Sequence, residues 1–194
     1  MWIRERVERP GASDRRRAAW LVVFSLVVPF QSVLAPIGAI GGVVPDLPFV
    51  IVVLFALGHR RITSAAAGGV VGALVDLFSS GSGSFHLAAY TLLAVLASSI
   101  GRLTTNVRAL TAVTVVAFCS VAAGVGYAVT GAPVERADDM TRWMGEVLGP
   151  QVVYNTIVGW CLFAVWRWWN PLSRDAVGER DELFSSGRFQ GFIR

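Results

Sequence analysis

The sequence predicts an all-α, polytopic integral membrane protein built as a six-helix transmembrane bundle, and three observations carry that prediction. Of the 194 residues, 54% are hydrophobic and only 15% are charged, which leaves too little polar surface to coat a globule in water. Apolar stretches near 18–40, 45–58, 62–78, 84–101, 109–130 and 150–169 approach the roughly 20 residues that a helix needs to cross a hydrocarbon core about 30 Å thick. Fifteen of the 17 basic residues, all of them arginine, fall in the N-terminal segment, in the second and fourth breaks between these stretches, and at or beyond the end of the last stretch. Positive charge resists translocation and acidic charge matters little, so both termini and the even-numbered breaks are expected on the cytoplasmic side. The net charge of +4 then reports topology and attraction to anionic lipid, with no nucleic-acid partner implied.

The expected organisation is an Arg-rich N-terminal tail over 1–17, a transmembrane domain over 18–170 and a C-terminal tail over 171–194. The apolar run from Trp20 follows a basic segment as a signal peptide would. It is too long for one, and Pro36 beside the candidate cleavage site at Ala35 disfavours processing, so the first helix is expected to be retained. Its outer half carries Pro29, Gln31, Ser32 and Pro36. Each proline removes a backbone hydrogen bond, and Gln31 and Ser32, or else neighbouring helices, are expected to satisfy some of the freed carbonyls.

Val44-Pro45-Asp46-Leu47-Pro48 marks the start of the second helix. Proline is tolerated in the first turn, and the Asp46 carboxylate complements the positive helix end. In the third stretch Gly68 and Gly72 stand four apart, and so do Ala65, Gly69 and Ala73. Such stripes of small residues let another backbone approach closely, so Gly68, Gly69 and Gly72 are expected to pack against a helix of the bundle or of a partner.

Asp76 near the end of that helix and His86 near the start of the next are costly in lipid if unpaired. They are expected to find partners, one reading being that they tie a helical hairpin together and another that they contact a ligand or partner protein. The break over 131–149 mixes acidic residues with Arg136, Arg142 and Trp143, and suits either a solvated loop or a short interfacial helix. Trp166, Arg167, Trp168 and Trp169 read as an aromatic belt with a snorkelling arginine. Cys119 and Cys161 have no C-x-x-C spacing and are expected to be small buried side chains.

The chain carries two histidines, two separated cysteines and no lysine. This set offers neither a usual zinc site nor a phosphate-binding Gly-Lys-Ser/Thr loop, and no nucleophile with base and orienting group stands out. A non-enzymatic protein with no cofactor and no metal is therefore expected.

The order of features is more specific than any one of them. Gln31-Ser32 precedes Pro36, Pro45-Asp46-Leu47 opens a short helix, and an arginine turn follows. A glycine-rich helix then ends in Val75-Asp76-Leu77-Phe78-Ser79, and Phe85-His86-Leu87-Ala88-Ala89-Tyr90 comes next, with Tyr154-Asn155 as a weaker echo. In this order, over about residues 20–103, the chain resembles the rod shape-determining protein MreD family.

The resemblance implies a scaffold subunit of the bacterial cell-elongation complex in the cytoplasmic membrane. Its implied partners are the bitopic protein MreC, the actin-like filament MreB and a peptidoglycan polymerase and transpeptidase pair. It also implies a bundle similar to the substrate-binding subunits of energy-coupling-factor transporters. Partner or ligand contact is expected at Gln31, Pro45, Asp46, Asp76 and His86. An alternative is a substrate-binding membrane subunit of a vitamin-type transporter, with an outer cavity lined by Gln31, Asp76 and His86.

Overall fold

A computed structural model describes residues 12–34, 37–40, 42–79, 84–104, 109–130 and 141–169. Most of both tails, Pro36, the centre of the 79–84 link and residues 131–140 lie outside the described residues. So do the expectations placed on them.

The described chain is helical, with α1 Ala12–Leu34, α2 Leu47–Leu57, α3 Arg61–Phe78, α4 Phe85–Leu103, α5 Ala109–Thr130 and α6 Gly149–Trp169. A single bridge pairs Ile40 with Val43 around Gly42, whose φ of 82° suits a residue without a Cβ. The helices run alternately up and down. One end of the bundle gathers the C-terminal ends of α1 and α3 with the starts of α2, α4 and α6, and the other gathers the α2–α3 turn with the end of α6.

Four helical segments are long and apolar enough to cross a membrane, as in a multi-pass membrane protein: Arg61–Phe78, Phe85–Leu103, Ala109–Val129 and Thr141–Trp168. Val22–Val33 and Leu47–Leu57 are shorter apolar stretches. The 11 residues of α2 rise only about 16 Å at 1.5 Å per residue, roughly half a hydrocarbon core. What makes so short a helix stable is its surroundings. It packs against all five other helices, and Pro48, Phe49, Val50, Val52, Val53, Phe55, Ala56 and Leu57 are buried. A helix apolar on every side is the axis of a core. Phe24, Val28, Val71, Tyr90, Ala94, Val116 and Phe163 pack around it in one continuous cluster.

Small residues set the tightest crossings. A methyl group at Gly68 would strike the Tyr90 carbonyl, and one at Gly72 would strike the His86 carbonyl, so α3 and α4 lie backbone against backbone. Gly69 faces the Thr91 hydroxyl, 3.2 Å from where its Cβ would be. Of the two settings open to this stripe, the structure has it inside the bundle. Gly101 of α4 likewise abuts the Leu57 backbone, and Leu148 fills the space over Gly124. Large apolar side chains such as Ile62, Leu77, Leu92, Leu110 and Trp168 point outward, the inverse of a water-soluble surface.

Several local expectations differ from the structure. Helix α1 begins at Ala12 and ends at Leu34, earlier at both ends than the 18–40 stretch, because the turn through Gly42 takes over the last apolar residues. The helix continues through Pro29, whose missing N–H frees the Ser25 carbonyl. Neither neighbouring polar side chain supplies that carbonyl: Gln31 reaches across to the link before α2, and the Ser32 hydroxyl donates to Val28 O at 3.3 Å. Residues 141–148 form no separate interfacial helix. They run into α6 through a π-helical turn at Met144–Leu148, which seats Leu148 on α5. Cys119 is buried as expected, whereas Cys161 is exposed, because it lies on the outward face of α6.

Candidate functional site: the polar end of the bundle

The N-terminus of α2 is the convergence point. Asp46 caps it, Oδ1 accepting from the Phe49 N–H at 3.1 Å, which satisfies one of the donors that a helix start leaves unpaired. Its other oxygen, Oδ2, accepts from the Tyr90 hydroxyl of α4 at 2.5 Å. The Asp46 N–H donates to Asn155 Oδ1 of α6 at 2.7 Å, and Asn155 Nδ2 donates onward to Ser120 Oγ of α5 at 3.2 Å.

From the other side Gln31 of α1 grips the same link, Nε2 donating to Pro45 O at 2.6 Å and Oε1 accepting from the Leu47 N–H at 3.3 Å. Five helices are thus tied to the three residues Pro45, Asp46 and Leu47. Tyr90, at 2% exposed, and Asn155, also at 2%, are interior side chains whose polar atoms are spent on this network. Among the described residues no buried side-chain nitrogen or oxygen lacks a partner.

Asp76 and His86 form the neighbouring cluster. One Asp76 oxygen accepts from the His86 backbone N–H at 3.1 Å and from its ring Nδ1 at 2.7 Å, and the other accepts from the Leu87 N–H at 2.9 Å. The carboxylate from the end of α3 therefore caps α4, a task that Ser84, which precedes α4, does not perform with its side chain. An acidic group at a helix N-terminus also meets the positive end of the helix dipole. The His86 ring stands edge-on to Tyr90, centroids 5.7 Å apart, and to Phe85 at 5.4 Å. The α3–α4 hairpin thereby abuts the Asp46 network through Tyr90.

Beside these groups lies a pocket of about 250 Å³. Gln31, Ser32, Pro45, Asp46, Ser79, Tyr90 and Gln151 supply its polar wall, and Val28, Pro48, Val75 and Phe78 supply its apolar wall. The room suits a small polar group or an inserted side chain.

Of the residues singled out from sequence, Gln31, Pro45 and Asp46 converge on one site and reach the pocket, while Asp76 and His86 pair with each other beside it. Gly68, Gly69 and Gly72 set the helix spacing that brings His86 and Tyr90 alongside α3. Sequence reasoning gave no weight to Ser120 or Gln151, and it noted Tyr90 and Asn155 only as parts of a pattern. Their signal is a polar side chain in an otherwise apolar stretch, which in lipid requires a partner.

Comparison with protein-family models, with curated proteins and with solved structures finds no match.

Proposed function

We propose that this chain is a non-enzymatic scaffold subunit of the bacterial cell-elongation complex, acting through protein contacts with an MreC-like bitopic protein and, through it, on peptidoglycan synthesis. The observation that carries the reading is the Asp46 network. Carboxylate, amide and hydroxyl groups that sequence order alone likened to MreD converge on one end of the bundle, where they fix the ends of several helices relative to one another. A rigid end of this kind offers a preformed docking surface, and association there avoids the entropy cost of ordering the helix ends. In this reading both termini are cytoplasmic and the polar end faces outward.

The test is co-purification in mild detergent from the native membrane. An MreC-like protein is expected to accompany the wild-type chain and to be lost from an inserted, folded Asp46→Ala variant. Retention of that partner by the variant would remove the role given to this end.

The pocket beside Asp46 favours a second reading, a small-molecule-binding subunit of a transporter. That reading expects a vitamin-like ligand to raise the unfolding temperature of the purified chain. A thermal-shift screen of that ligand class without a hit would count against it.

A further inference from the structure

At the end of the bundle opposite the Asp46 network, a second cleft of about 240 Å³ opens between α1 and α6, with α2 as its floor. Trp20, Leu54, Phe55, His59, Phe163 and Trp166 line it. In the floor His59 stacks on Phe55 with centroids 3.7 Å apart and donates from Nδ1 to the Phe55 carbonyl at 2.7 Å. The Trp20 ring stands edge-on to Phe55 at 4.9 Å.

Three arginines adjoin the residues of this lining in sequence. Arg60 and Arg61 follow His59 directly and Arg167 follows Trp166, and all three are exposed. Among the described residues none of them forms an ion pair. We propose that this cleft is a binding site for one anionic phospholipid, an acyl chain lying over α2 between Trp20 and Trp166 and the phosphate meeting Arg60, Arg61 and Arg167.

Two physical arguments select this occupant. Transmembrane helices associate through close backbone approach at small residues or through interhelical hydrogen bonds, because lipid gives apolar side chains no drive to leave it. This cleft has bulky walls and almost no polar surface, and its one small residue is Gly58, so it suits a flexible hydrocarbon chain better than a helix about 10 Å across. The exposed guanidinium groups next to its lining, which form no ion pair among the described residues, match a lipid phosphate in charge and in hydrogen-bonding geometry.

The test uses the full chain, delipidated in detergent and titrated with phosphatidylglycerol or phosphatidylcholine carrying brominated acyl chains, which quench nearby tryptophan. Phosphatidylglycerol is expected to saturate the quenching at the lower mole fraction, by about fivefold for each arginine engaged. The difference is expected to shrink in high salt, where head-group attraction is screened. It is expected to disappear in the Trp20→Phe, Trp166→Phe double variant, which keeps the apolar walls. Equal titration by the two lipids would overturn the proposal, as would a difference that survives in the double variant. Protection of Trp20 and Trp166 from quenching as protein concentration rises would overturn it too, in favour of a second copy of the chain as occupant.

Discussion

The Tyr90 hydroxyl donates to Asp46 Oδ2 at 2.5 Å, joining two residues 44 positions apart. Because Tyr90 is interior and its partner caps α2, removing the hydroxyl leaves one carboxylate oxygen without its donor. An average interhelical hydrogen bond in a membrane protein contributes only about 0.6 kcal/mol, whereas leaving the oxygen of a half-buried carboxyl without its donor costs about 1–3 kcal/mol. Tyr90→Phe is therefore expected to destabilise by the larger amount. The measurement is equilibrium unfolding in detergent, and the prediction fails if Tyr90→Phe unfolds with wild-type stability.

The α3–α4 crossing predicts a severe effect from a small change. Gly72→Ala puts a methyl group into the His86 backbone carbonyl, an atom that cannot move without shifting α4. Since His86 and Tyr90 travel with that helix, the substitution is expected to lower the unfolding temperature and also to loosen the Asp76–His86 pair. Ala66→Gly, at an exposed position on the same helix, is the control. It is expected to cost no more than about 1 kcal/mol, from lost helix propensity. Comparable unfolding temperatures for the two variants would show that the crossing tolerates a methyl group.

The membrane class was legible from the sequence because lipid imposes a composition and a length that no water-soluble core requires. Asp46 as a cap and Asp76 and His86 as polar groups in need of partners were legible because their chemistry is local or their isolation conspicuous. Three things were not legible, each because it depends on how helices pack. The burial of most of α2 follows from five neighbours whose arrangement no periodicity in an all-apolar run reveals. The tie from Asn155 to Asp46 spans 109 residues and needs α5, α6 and α2 to meet first. The outward position of Cys161 is a matter of helix rotation, which a uniformly apolar stretch does not specify.

Asp76 makes a graded series possible. Its two oxygens accept from two backbone N–H groups and one imidazole nitrogen, so Asp76→Ala removes all three bonds. Asp76→Asn retains one acceptor oxygen and loses the charge. Stability is expected to fall in the order wild type, Asn, Ala. The full loss is of order 1–3 kcal/mol, as for hydrogen bonds to a charged group. The check is unfolding of the three proteins side by side. Equal stability of the Asn and Ala variants would mean that the charge, and not the acceptor count, holds the start of α4.

The pocket beside Asp46 separates the two functional readings through one substitution. Ser32 borders that pocket near the end of α1, is exposed, and among the described residues makes only an intrahelical bond, to Val28 O at 3.3 Å. Ser32→Phe therefore adds bulk at the pocket without breaking a tie between helices, and the loss of that long local bond is expected to cost less than about 1 kcal/mol. If the polar end works as a scaffold surface built by the Asp46 network, Ser32→Phe retains an MreC-like partner, while Asp46→Ala loses it at equal membrane insertion. If the pocket holds a small molecule, Ser32→Phe abolishes the ligand's thermal shift and leaves the unliganded unfolding temperature unchanged. Measuring partner recovery and thermal shift on the same two variants decides between them, because the scaffold reading requires the variants to differ in partner recovery and the transporter reading requires Ser32→Phe to lose its ligand response.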